Sequence, residues 1–102
     1  MKHYNKNLQS KFEEALQSSD CSKVEDILSC YSDNIDINLL NDEGNTPLQT
    51  ATLGGNLDIV RLLIRHGADP SVTSRDGWST LHIAAYTGHS SITQYITINT
   101  RR

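Results

Sequence analysis

DEGNTPLQTATLGGNLDIVRLLIRHGADPS, residues 42–71, is followed by RDGWSTLHIAAYTGHSSITQYIT, residues 75–97, and the second stretch repeats the first. Gly44 recurs as Gly77, Leu48 as Leu81, Ala51 as Ala84, Gly55 as Gly88 and Ile59 as Ile92, each 33 residues on. A fixed period of this length marks a repeat architecture, in which each unit buries its apolar face only against a neighbour.

Within residues 42–71 the local signals are dense. Thr46 suits a helix N-cap, and Pro47 suits the first helical position, where a missing N–H does no harm. The first helix then runs through Leu48, Ala51 and Thr52, and its small residues let a second helix approach closely. Gly54-Gly55 breaks it, Asn56 caps the next helix, and Asp58 lies in its first turn, where a carboxylate is favoured. LDIVRLLIRH puts Ile59, Leu62 and Leu63 on one face, with Val60 and Ile64 beside them. Gly67 stops this helix in left-handed geometry and Pro70 prevents a restart. The following unit uses Ser79 as the cap, and Asp76-Gly77 before it signals a tight hairpin turn.

An earlier unit is more divergent. Phe12 falls on Leu48 at an offset of 36, as do Ala15 on Ala51, Val24 on Val60 and Leu28 on Ile64. Asp36 on Asp69 restores the offset of 33, which places about three extra residues in SCYSDNID. Ser22 with Glu25 fits a capping box. The units are thus about 8–41, 42–74 and 75–100, a single domain over 8–100 preceded by a flexible N-terminus at 1–7. A hairpin and two antiparallel helices carrying TPL…A…GG every 33 residues resemble the ankyrin repeat. The fold class that follows is all-α, an ankyrin solenoid of about three repeats with an irregular first one.

The 102 residues suffice for one domain, and the formal net charge of −3 gives no basic face for a nucleic acid. Arg101-Arg102 suits the negative end of a helix dipole better than a phosphate contact. The start lacks the apolar core of a secretory signal, and no run approaches the roughly 18 residues needed to cross a bilayer. Cys21 and Cys30 form no Cys-x-x-Cys and have no His cluster beside them, so a soluble, reduced, intracellular protein is expected, monomeric when free. The initial Met and the Arg-Arg ending favour a whole protein over a fragment.

No catalytic constellation stands out. Neither cysteine lies in a nucleophile motif. His82 in STLHIAA is expected to hydrogen-bond across the hairpin, His89 to cap or turn, and Glu13-Glu14 to form a solvated pair. Gly54-Gly55 has no lysine after it and is no phosphate loop. No enzyme, metal or cofactor is expected, and a stack of three repeats offers no obvious cleft for one.

Binding in such arrays falls to the concave side, lined by hairpin tips and first helices. The tip positions are Asp42, Glu43, Asn45, Arg75, Asp76 and Trp78. The helix ends add Leu53, Tyr86 and Thr87, and Tyr95 on the last helix completes the candidate set. Aromatic residues and Arg dominate interface energetics, which singles out Trp78 and Tyr86. Two roles are open to Trp78: partner contact, or local packing over the neighbouring hairpin. The acidic tips could equally be turn formers. Val24/Leu28 and Val60/Ile64 make a stripe expected to pack on the following repeat. In the last unit that stripe reads Thr93 and Thr97, a partial polar cap on a β-branched helix of weak intrinsic propensity.

RDGWSTLHIAAYTGH (Arg75–His89), Tyr95-Ile96, GNLDIVRLLIRHGAD (Gly55–Asp69) and FEEALQSSD resemble the Notch-regulated ankyrin repeat protein family, as do the long connection after Leu28 and the overall size. The resemblance covers about Phe12 to Ile98. It implies a nuclear and cytoplasmic interaction protein that binds the ankyrin domain of the Notch intracellular fragment with its DNA-bound transcription factor and attenuates Notch signalling, with a further tie to Wnt signalling. The implied geometry is one ankyrin array extending another, without direct nucleic-acid contact. Apolar residues are usual in that family where Thr93 and Thr97 stand here, and His where Gln49 stands. The alternative is a generic ankyrin adaptor or a phosphatase-targeting regulatory subunit, whose repeats also show DGW before the first helix.

Overall fold

The computed structural model describes residues 5–100, which form six α-helices, one short 3-10 turn and no β-strand among them. The helices are α1 (Lys6–Gln17), α2 (Cys21–Tyr31), α3 (Pro47–Leu53), α4 (Leu57–Arg65), α5 (Thr80–Thr87) and α6 (Ser90–Thr100). They pair as antiparallel hairpins α1–α2, α3–α4 and α5–α6. An inner row forms as α3 packs on both α1 and α5, and an outer row as α4 packs on α2 and α6. This is the three-repeat ankyrin stack.

The caps follow the local signals in the two regular repeats. Thr46 Oγ1 accepts the Gln49 N–H at 3.1 Å, Asn56 Oδ1 the Ile59 N–H at 3.1 Å and Ser79 Oγ the His82 N–H at 3.1 Å. The first repeat departs from them. Its second helix is capped by Asp20, which accepts the Lys23 N–H at 3.1 Å, in place of Ser22. Ser19 takes φ 56° where the regular repeat has Gly55. A non-glycine residue in this left-handed region costs about 1–2 kcal/mol, offset here by the bonds that close the turn. Of the stretch 1–7 expected to be a flexible N-terminus, residues 1–4 lie outside the described residues, and residues 5–7 belong to the first helix and its cap. Helix α1 starts at Lys6, capped by Asn5, whose own N–H donates to Asn34 C=O at 2.8 Å. The 3-10 turn Ser32–Asn34 absorbs the extra residues after α2.

One continuous core runs through all three repeats. Phe12, Leu16, Val24 and Leu28 join Leu48, Ile59, Val60 and Leu63, and these join Ala84, Ile92 and Ile96. Of the expected inter-repeat stripe, Val24, Leu28 and Val60 are buried, while Ile64 is half-buried because it faces an open cleft beside Ile96.

The hairpins stack through backbone and one amide. Asn41 and Ser74, 33 positions apart, start equivalent turns: Asn41 Oδ1 accepts the Asn45 N–H at 3.0 Å, and Ser74 Oγ the Trp78 N–H at 3.1 Å. Arg75 N–H donates to Gly44 C=O at 2.8 Å, which joins one tip to the next. A Cβ at Gly44 would lie 2.8 Å from Arg75 Cβ, so only glycine permits this approach at φ +83°. Beneath the tips lies Gln49, fully buried. Its Oε1 accepts the Thr46 N–H at 3.0 Å and its Nε2 donates to Trp78 C=O at 2.8 Å. The cross-hairpin bond expected of His82 is therefore made by Gln49, one repeat earlier. His82 only closes the box at its own cap, with Nδ1 receiving the Ser79 N–H at 3.3 Å.

Glu13 likewise is not merely solvated. It accepts from Asn41 Nδ2 at 2.7 Å and so fixes the first helix to the next hairpin. It stands 36 residues before Gln49 and does the corresponding job.

Two outcomes in urea denaturation follow. Gln49→Leu strands the buried Thr46 N–H and loses the inter-repeat bond, for a loss of about 2–3 kcal/mol. Gln49→His keeps an acceptor for Thr46 and a donor on its far side, and should lose less than half of that. Thr80 is fully buried at the first position of α5, and its hydroxyl has no hydrogen-bond partner. The equivalent residue of α3 is Pro47, and Ser79 already has the extended ψ of 164° that a following proline requires. Thr80→Pro should therefore raise stability by about 1 kcal/mol, or roughly 4–8 °C in the thermal midpoint.

Candidate functional site

Trp78 leaves the hairpin two residues before α5, and its ring lies beside that helix. It meets Tyr86 edge-to-face at 5.8 Å and 71°, and His82 at 6.2 Å and 83°. The pairing is spaced by the helix itself, since His82 and Tyr86 are one turn apart on the same stripe. Both rings of the main pair remain in water: Trp78 is 45% exposed and Tyr86 82%.

The pair forms one wall of a shallow groove of about 410 Å³ between the two regular repeats. Asn45 and Leu53 from the second repeat face Asp76, Trp78, Tyr86 and Thr87 from the third. Buried Ile83 and Ser74 also line it. Six of the ten candidate residues are thus brought together. The sequence reading missed Ile83, although its spacing of three from Tyr86 and four from Thr87 puts it on their face.

The other four lie elsewhere. Asp42 and Glu43 line a separate polar crevice with Lys6, Gln9 and Glu13 at the first repeat. Arg75 lies against the tip of the preceding hairpin, its guanidinium carbon 3.4 Å from where a Gly44 Cβ would be. Tyr95 sits on the outer row, half-buried, with Arg61 over its ring at 5.6 Å.

The groove is apolar with two free polar handles. Thr87 Oγ1 donates to Ile83 C=O at 2.7 Å, and Ser74 Oγ serves the Trp78 N–H at 3.1 Å. Among the described residues, the Asn45 side-chain amide and the Asp76 carboxylate have no partner. Nothing here resembles an activated nucleophile. Burial, aided by the carboxylates of Asp58, Glu25 and Asp20, pushes the Cys21 thiol above its ordinary pKa, which disfavours the thiolate. Cys30 is exposed. Among the described residues no group of His, Cys, Asp and Glu is placed to hold a metal ion, and no helix is long and apolar enough to cross a membrane.

A stack of hairpin–helix–helix units with an open aromatic groove is a protein-binding array, and the family profile of ankyrin repeats, in three copies, matches residues 12–101. The chain is 38% identical over 86 residues to the Notch-regulated ankyrin repeat-containing protein of Xenopus tropicalis, covering 83% of this chain and 75% of that one. The human protein of the same name is 37% identical over the same shares. This chain belongs to that family of Notch-regulated ankyrin repeat-containing proteins. A shorter likeness, 36% over 62 residues, reaches protein phosphatase 1 regulatory subunit 27 of Mus musculus and covers 61% of this chain and 40% of that one. Proteins of these families are interaction modules and no enzyme family is indicated.

Trp78 is 45% exposed, so a little over half of the indole is out of water, and Trp78→Ala should cost roughly 2–3 kcal/mol although the backbone bonds do not need the ring. Differential scanning calorimetry checks this; an unchanged thermal midpoint would show that the edge-to-face contacts with His82 and Tyr86 add nothing to the stability of the repeat.

Proposed function

We propose that this chain is a non-catalytic attenuator of Notch signalling that binds the ankyrin domain of the Notch intracellular fragment together with its DNA-bound transcription factor, in the nucleus. The observation that carries this reading is the match to Notch-regulated relatives over 83% of the chain. Geometry adds two surfaces on which such an assembly can be built. One is the Trp78–Tyr86 groove. The other is the outer face of the last repeat, where Ala84, Ala85, Gly88 and Thr93 line a shallow recess of about 400 Å³.

The threonines at this end weigh less against stacking than their polarity suggests. Thr93 Oγ1 donates to His89 C=O at 3.1 Å, and Thr97 Oγ1 to Thr93 C=O at 2.8 Å. Both hydroxyl protons are already used by the helix backbone, so an approaching repeat meets no unsatisfied donor. Stacking one array on another would bury this face as each inner repeat already buries its own.

Isothermal titration calorimetry with a purified Notch ankyrin domain, alone and with its transcription factor on DNA, is the deciding measurement. Tighter binding to the full assembly is expected, with Trp78→Ala weakening it at least tenfold. Thr93→Val with Thr97→Ile should tighten it, and unchanged affinity would remove the last-repeat face from the interface. The likeness to the phosphatase regulatory subunit favours a second reading. Absence of any Notch contact from a folded sample, with capture of a protein phosphatase 1 catalytic subunit, would establish that one instead.

A further inference from the structure

We propose that the groove between the second and third repeats takes an extended protein segment in which an arginine stands beside an aliphatic residue. This rests on the reading of the groove as a partner surface and names what that surface selects. Three features set the chemistry, and each is independent of the others.

The first is charge. Among the described residues, Asp76 is the one acidic or basic side chain lining the groove, and it has no ion-pair partner there. The nearest cation in sequence, Arg75, lies with its guanidinium against the neighbouring tip and does not line the groove. An unneutralised carboxylate at the edge of an apolar surface attracts a cation and repels phosphate, which excludes a nucleic-acid backbone as the occupant.

The second is the ring pair. Trp78 and Tyr86 meet edge-to-face and stay exposed, so aromatic faces remain available to a planar cation. A guanidinium stacks on such faces and forks onto a carboxylate, whereas an ammonium does only part of this. Arginine is therefore preferred over lysine. Leu53, exposed on the opposite wall, and Ile83 beneath offer the apolar contact for the adjacent aliphatic side chain.

The third is Asn45. Its amide carries both a donor and an acceptor, neither of them used among the described residues. An extended chain presents a free C=O and a free N–H in reach of one amide, while a helix has already spent both. An extended segment fits this handle and a helical one does not.

The test uses the whole chain and does not involve the Notch complex, so its failure is separate from failure of the proposed function. Trp78 is the single tryptophan, which makes its indole signal specific to this groove. The probes are the peptides acetyl-PLRLP-amide, its Arg→Lys form and its Arg→Glu form, titrated at millimolar concentration into 15N-labelled protein. The expected result is saturable shifts of the Trp78 indole N–H and the Asn45 side-chain amide with the arginine peptide. Binding should be about threefold weaker with lysine and at least tenfold weaker with glutamate. In Asp76→Lys the order should invert, with the glutamate peptide binding better than the arginine peptide. Equal binding of the arginine and glutamate peptides, an unchanged order in Asp76→Lys, or no shift at Trp78 with the arginine peptide would overturn the proposal. Asp76 is exposed at a hairpin tip, so an unaltered amide spectrum elsewhere confirms that the variant is folded.

Discussion

A buried amide stands at the join of the two regular repeats, beside a backbone bond and a shared core. Gln49 holds the N-terminus of α3 with its oxygen and the backbone of residue 78 with its nitrogen. A buried primary amide is expensive unless all its bonding capacity is met, and here the partners come from different repeats. The second repeat cannot relax its cap without releasing the hairpin of the third. That hairpin in turn carries Trp78 and Asp76, so the groove inherits its geometry from a residue that never touches solvent. The dependence of a surface feature on an interior bond is the main physical content of this fold.

The remainder of the scaffold follows from the period. The second repeat carries its own caps, its own left-handed stop at Gly67 and an apolar stripe that faces the third, whereas the third repeat has Thr93 and Thr97 on that stripe. With overall extents of 33 × 29 × 26 Å, the stack is scarcely longer than it is wide. So short an array develops little curvature, and the seam between its second and third repeats is a shallow groove in place of an enclosing cavity.

Much of this was legible in the sequence, and the exceptions share a cause. The regular repeats were readable because Thr46, Pro47, Asn56 and Gly67 each carry a conformational preference that their positions use. The first repeat hid its turn because Ser19 occupies a left-handed position without a glycine to mark it, and Asp20 rather than Ser22 took the cap beside it. Residue type alone does not choose between two cap-forming side chains two positions apart. At the candidate site, place on the tips and helix ends pointed to Leu53, and aromatic character singled out Trp78 and Tyr86. What no pattern conveyed was that Asp42 and Glu43 belong to a different crevice and that Tyr95 lies on the outer row beneath Arg61. Those assignments depend on how the hairpins stack, which is a property of three dimensions.

The union of adjacent tips through Arg75 N–H and Gly44 C=O has one more consequence. Main-chain atoms make that join, and main-chain atoms are common to every amino acid. The outward side chains of the tips are therefore under no obligation to the scaffold, and mutation can rewrite them while the array persists. Relatives that retain little more than a third of their residues in common can keep the same skeleton and yet diverge in what they grip. Exchange of the side chains at 42, 43, 76 and 78, with Gly44 and Gly77 kept, is the corresponding engineering route, with the skeleton serving as a fixed socket.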